Sequence, residues 1–142
     1  MRVLFFFSLL ISLGISCHDE DCLPDNCQNF LIENNITDKI TNAHASIVDH
    51  EIVDDCLKVT LTVGGCDDDH IHDIDLITTG EINESLPVQI PFYFRDNNPQ
   101  SCQAIVTLKR EFDLSRIRSE LGVEGDARLI FQLSQQEILY EQ

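Results

Sequence analysis

Residues 56–63 read Cys56-Leu57-Lys58-Val59-Thr60-Leu61-Thr62-Val63, with an aliphatic residue at every odd position and Cys, Lys or Thr at every even one. Side chains of a strand alternate between two faces, so this period of two describes a strand with one face in a core and one in water. The same rhythm extends on both sides. Residues 46–53 are rich in Ile and Val, and Asp54-Asp55 supplies the turn of a hairpin. Gly64-Gly65 ends the strand, and an acidic run leads into a third strand over 70–77. Thr79-Gly80-Glu81 turns the chain again. A strand over 88–94 follows, with Pro91 marking an edge or a bulge. Asp96-Asn97-Asn98-Pro99 reads as a turn, and 101–112 returns with Cys102, Ala104, Val106 and Leu108 on one inward face. Residues 114–121 form a short helical stretch capped by Ser115. Strands over 127–133 and 137–140 complete the pattern. About seven short strands between polar turns predict an all-β fold, an antiparallel β-sandwich. An immunoglobulin-like topology is one form of it, although the chain has no Trp for that fold's hallmark.

The N-terminus is built differently. Arg2 precedes an apolar run over 3–15, shorter than the about 20 residues that a membrane-spanning helix needs. One charge, an apolar centre and small Ser16 make residues 1–16 a secretory signal. Cys17 stands where a bacterial lipoprotein signal places its lipidated cysteine. The box resembles those of Bacteroidetes lipoproteins, with Gly14 where the usual Leu would be and Leu13 one residue further back. In that group an acidic run after the Cys acts as a signal for export to the cell surface, and His18-Asp19-Glu20-Asp21 looks like one. Residues 17–29 then read as lipid anchor and acidic tether, and 30–142 as the β-sandwich domain. The expected place is the outer membrane, periplasmic or surface-exposed, held by N-terminal lipid.

Charge narrows the partners. The chain has 25 Asp and Glu against 9 Lys and Arg, a formal charge of −16, and loses only one cation when the signal is removed. Nucleic-acid binding is excluded on this balance, because phosphates are neutralised by Lys and Arg. Polybasic attachment to anionic lipid is excluded by the same argument. A protein or glycan partner, divalent cations and simple solubility all remain compatible.

Cysteines outside the cytoplasm tend to pair. With Cys17 lipidated, Cys22, Cys27, Cys56, Cys66 and Cys102 remain. Cys22 and Cys27 can close a small loop, or each can bond to the domain. Cys66, after a Gly-Gly break, and inward Cys102 make the preferred bridge. Cys56, on the polar face with Lys58, is the next choice for Cys102. A bridge across the 36 positions from Cys66 to Cys102 is worth roughly 3–4 kcal/mol in the loop-entropy account.

The order Asp55-Cys56-Leu57, Gly64-Gly65-Cys66, His72-x-Ile74-x-Leu76, Pro91, Cys102-x-Ala104 and Phe112-Asp113-Leu114-Ser115 resembles a group of small uncharacterised Bacteroidetes lipoproteins. The likeness spans residues 46–133. It implies a surface or periplasmic β-domain, with His72 the matching histidine and Asp67-Asp68-Asp69-His70 a lengthened loop. It implies no chemistry.

That loop packs a thiol, two histidines and four carboxylates into the ten residues 64–73. His70 and His72, two apart on a strand, share a face, and Cys66 or Asp69 can complete a zinc or copper set. Against this, a thiolate must escape oxidation, and His72 continues into Ile74 and Leu76, the signature of a packed histidine. A Cys66–His72 nucleophile pair is the weakest reading. The calcium-loop pattern, G-x-S-x-G, H-E-x-x-H and a phosphate loop are all missing from the sequence. The sequence therefore reads as a lipid-anchored binding or structural module and not an enzyme. A metal-binding surface lipoprotein using Cys66, His70 and His72 is the alternative, and otherwise no cofactor is expected.

Overall fold

The computed structural model describes residues 27–36, 45–66, 72–99 and 102–142. The chain is all-β, with two sheets packed face to face. In order, the strands are β1 Gln28–Asn29, β2 Leu31–Ile32, β3 Ser46–Val53, β4 Cys56–Gly65, β5 Ile74–Thr78, β6 Val88–Asp96, β7 Ala104–Asp113, β8 Ala127–Phe131 and β9 Gln136–Tyr140. One helix, α1 Arg116–Leu121, lies between β7 and β8. The four-stranded sheet runs β1-β7-β4-β3 and the five-stranded sheet β2-β5-β6-β8-β9.

The alternation in β4 does what it predicts. Leu57, Val59, Leu61 and Val63 are buried, while Lys58, Thr60 and Thr62 are half-buried on the outer face. Across the core, β6 presents Ile90, Phe92 and Phe94, and β8 presents Leu129 and Phe131. Phe131 stacks on Phe94 with ring centroids 5.2 Å apart, and Phe94 meets Phe112 of the opposite sheet at 6.0 Å. Burial of these rings, each removing a large apolar area from water, is the main force joining the sheets.

The sheets are mixed, which corrects the antiparallel sandwich expected from the sequence. β1 with β7, β2 with β5 and β6 with β8 are parallel pairs. These pairs also separate the fold from an immunoglobulin-like arrangement of two antiparallel sheets. The physical source is visible at Phe30. Gln28–Asn29 joins one sheet and Leu31–Ile32 the other, so the segment straddles both and drives fully buried Phe30 between them. The ring meets Phe92 edge-on at 5.4 Å. Arg116 of α1 lies over its other side, 5.2 Å from the centroid, and donates to the Phe30 carbonyl. Gln28 and Asn29, read from sequence as the end of the tether, thus belong to the domain. The β6–β8 pair is parallel because the chain leaves for β7 in the other sheet and returns through α1.

Two further readings change. The third strand starts at Ile74, so His72 precedes it. In α1, Ser115 has helical backbone angles and makes no side-chain cap. Instead the Asp113 carboxylate accepts the Ser115 N–H at 2.8 Å. Gly122, at φ 67°, closes the helix in the left-handed conformation that glycine adopts without strain.

Candidate functional site

The sequence pointed to the loop after β4. Gly65 is the last residue of β4, and its missing side chain is the first element of the site. A Cβ placed there would sit 2.2 Å from His72 Nε2 and 2.5 Å from Cε1, so the imidazole occupies the volume that any other residue would fill. His72 is 3 % exposed. Its Nδ1 lies 2.6 Å from Asp96 Oδ2, both side chains being buried. The other Asp96 oxygen accepts the Asn98 N–H at 2.9 Å. Arg110 of β7 donates to the His72 carbonyl at 2.6 Å, tying the two sheets together here. Nε2 has no hydrogen-bond partner. A neutral ring that donates Nδ1–H to Asp96 keeps its lone pair on Nε2, facing Gly65.

Beside this notch Cys66 and Cys102 form a disulfide, Cα–Cα 4.7 Å. Both residues are exposed, and Cys102 lies ahead of β7, whose first residue Ala104 is exposed as well. Ala104, Val106 and Leu108 do share the inward face, opposite Gly65, Val63 and Leu61, but that face is open to solvent at Cys102 and Ala104, packs partly at Val106 and is fully buried only from Leu108. Cys56, read as polar-face, is completely buried and bonded to Cys27, Cα–Cα 6.1 Å. A Cys56–Cys102 bridge is ruled out by the β4–β7 register. Cys56 pairs with Asp113 at one end of the sheet, while Gly65 pairs with Ala104 at the other.

The proposed metal set is therefore not assembled as drawn. Cys66 is in a disulfide and has no thiolate to offer, either to zinc or copper or as a nucleophile beside His72. His72 has one nitrogen on Asp96 and the other against Gly65. Asp69, His70, Cys17 and Cys22 lie outside the described residues. Among the described residues, Cys27, Cys56 and Glu111 alone bring three ligand atoms within 4.8 Å of one another, but the two sulfurs there are bonded to each other.

A second polar cluster escaped the sequence reading. Asp75 of β5 accepts Arg95 Nη2 at 2.7 Å, Asn97 at 2.8 Å and Gln28 at 3.2 Å. Arg95 also reaches Glu33 at 2.7 Å. The hydrogen bond that Arg95 donates to Asp75 raises its pKa above the ordinary value; burial opposes the rise, and the bond donated to Glu33 adds to it. This network closes on itself and leaves only Arg95 Nε without a partner. Its residues come from four strands or their flanks, so no local motif announces it. At the opposite end of β4 from His72, Tyr140 donates to Asp55 at 2.6 Å. Burial first, then this hydrogen bond, raises the phenol well above its ordinary pKa.

No protein-family model matches the chain, and no curated protein matches it in sequence. Among solved structures it is similar to a protein of unknown function DUF1344 from Bacteroides vulgatus, with 17 % identity, TM-score 0.54, and coverage of 82 % of this chain and 56 % of that one. It is also similar to a protein from Parabacteroides distasonis whose name describes it as toxin-related, with 20 % identity, TM-score 0.48, and coverage of 82 % and 61 %. The chain thus spans little more than half the length of these neighbours. At such identity the first likeness shows a shared fold, in a Bacteroidetes protein.

Proposed function

We propose that this protein is a lipid-anchored extracytoplasmic module that binds a partner or serves a structural role at the outer membrane. The Cys27–Cys56 disulfide carries the reading. Disulfides persist where the compartment is oxidising, and this one fastens the root of the N-terminal segment to the sheet. A pull on the anchor is thus borne by a covalent bond and not by the two-residue strand β1. Between Cys17 and Cys27 the chain spans at most about 35 Å, which would keep the domain close to the bilayer. Acyl chains worth roughly 0.8 kcal/mol per buried CH₂ supply the attachment.

The test is cell fractionation combined with the mass of the mature N-terminal peptide. The wild-type chain is expected in the outer-membrane fraction with acyl mass on Cys17, and Cys17→Ala in a soluble extracytoplasmic or precursor form. Membrane partition unchanged in Cys17→Ala, with no lipid on the wild-type peptide, would overturn the anchor.

A further inference from the structure

Resting on the reading as a binding module, we propose that a notch at one end of the five-stranded sheet is the binding site. Its ligand is a basic segment of a partner protein, with Lys or Arg next to an apolar residue. β6 and β8 run parallel, and their first residues, Val88 and Ala127, are register partners. The residues just ahead of each strand therefore meet at the same end of the sheet. There Leu86, Pro87 and Val88 line a cavity of about 320 Å³ together with Glu124 and Asp126. Leu86 is completely open to solvent. A lone exposed Leu is ordinary on a protein surface, but this one is firmly carried. Asn83 and Gln89 exchange both backbone hydrogen bonds, at 2.9 and 3.1 Å, and Ser85 donates to the Pro87 carbonyl at 2.6 Å. The loop is thus closed at its base, and a ligand packing on Leu86 does not have to order a loose chain.

The charges decide the occupant. Glu124 and Asp126 are exposed, and no Lys or Arg lines the cavity with them. Among the described residues neither is in an ion pair, and the same holds for exposed Glu84 in the loop that carries Leu86. The groove over β3, β4 and β7 is different, because it answers its own charges: Lys58 lies opposite both Glu51 and Glu111. Carboxylates of one sign beside an apolar wall suit a side chain that is apolar along its stem and cationic at its tip, which is Lys or Arg. The stem lies along Pro87 and Val88, the cation meets Glu124 and Asp126, and the apolar neighbour covers Leu86. A formal charge of −16 on the protein draws such a segment in from a distance. A bare divalent cation is a poorer occupant. Among the described residues Glu124 and Asp126 belong to no group of three metal-ligating side chains, and a hydrated ion makes no use of Leu86.

The test is selection of random nonapeptides displayed on phage against the mature, disulfide-bonded protein in detergent. Enriched peptides are expected to carry Lys or Arg next to an apolar residue. Binding of the synthetic peptides, followed by fluorescence anisotropy, should fall about tenfold in Leu86→Ser, which leaves the charge unchanged. It should fall about as far in Glu124→Gln/Asp126→Asn. The control Asp49→Asn/Glu51→Gln removes the same charge from a different, exposed part of the molecule and should change binding less than about twofold. All these positions are exposed, so the melting temperature should stay nearly constant. No enrichment, unchanged binding in Leu86→Ser, or equal loss in the two charge variants would overturn the proposal, the last in favour of general attraction to an acidic protein. Displacement of the peptides by calcium or spermidine, equally in wild type and Leu86→Ser, would overturn it in favour of a bare cation. Enriched peptides that bind all three variants like wild type would keep the binding-module reading and remove this site. Membrane fractionation of Cys17→Ala is independent of these outcomes, so the anchor and the notch fail separately.

Discussion

The two ends of the sandwich each carry a disulfide, yet they are built in opposite ways. At the loop end Cys66–Cys102 lies on the surface, and the interior is closed by the His72 ring filling the notch at Gly65. At the other end Cys56 is itself completely buried, and Tyr140 and Asp113 supply hydrogen bonds around it. Chain entropy barely separates the two bridges, because they span 29 and 36 positions. Each removes about 3–4 kcal/mol of loop freedom from the unfolded chain. Burial separates them. One bridge is an external clasp over a packed histidine, and the other is part of the packing.

The largest expected effect follows from that difference. Removing the buried bridge as Cys27→Ala/Cys56→Ala should cost about 4 kcal/mol or more, since a cavity adds to the lost constraint. Removing Cys66 and Cys102 together should cost about 3–4 kcal/mol, the lost constraint alone. Urea unfolding of the two variants measures this directly. Graded reduction with alkylation and peptide mapping sharpens it: the exposed bridge should open first, and the buried one only near the unfolding transition. Opening in the reverse order would break the comparison.

Next comes the notch. Gly65→Ala must push the imidazole off its site and away from Asp96, an overpacking that should cost about 2–3 kcal/mol. A loss below about 1 kcal/mol would mean that the ring does not close this end. The smallest effect is at the other end. Tyr140→Phe should cost about 1–2 kcal/mol by removing a hydrogen bond to a carboxylate. It also has a pH signature. The folded phenol titrates above its ordinary range, so its stabilisation is fully present below the unfolded value of about 10 and is lost as the pH rises beyond it. Wild-type stability should therefore fall more steeply above about pH 10 than that of Tyr140→Phe. Parallel curves would remove Tyr140 from the account.

The sequence was legible wherever structure is local. Alternation in 56–63 identified a strand with its inward face, and the Ile- and Val-rich run before Asp54-Asp55 is β3, residues Ser46–Val53. Gly64-Gly65 signalled the end of that strand, although not that an imidazole would fill the space beside Gly65. The partner of His72 was hidden because Asp96 sits in a stretch whose Asn and Pro residues read as a turn, 24 positions away. The Asp75 network was hidden for the same reason: Gln28, Glu33, Arg95 and Asn97 are each unremarkable in their own segments.

What the sequence by itself determined is the class and the grain of the molecule: all-β, with the Cys66–Cys102 bridge and the inward face of its central strand correctly read. Pleat, turn chemistry and charge depend on neighbours along the chain, so they survive without coordinates. Only the tertiary structure decided that Phe30 is buried between the sheets in a segment that pairs in parallel with both, and that Cys56 closes on Cys27. Each of those rests on contacts between residues far apart in the chain, which a period of two cannot encode.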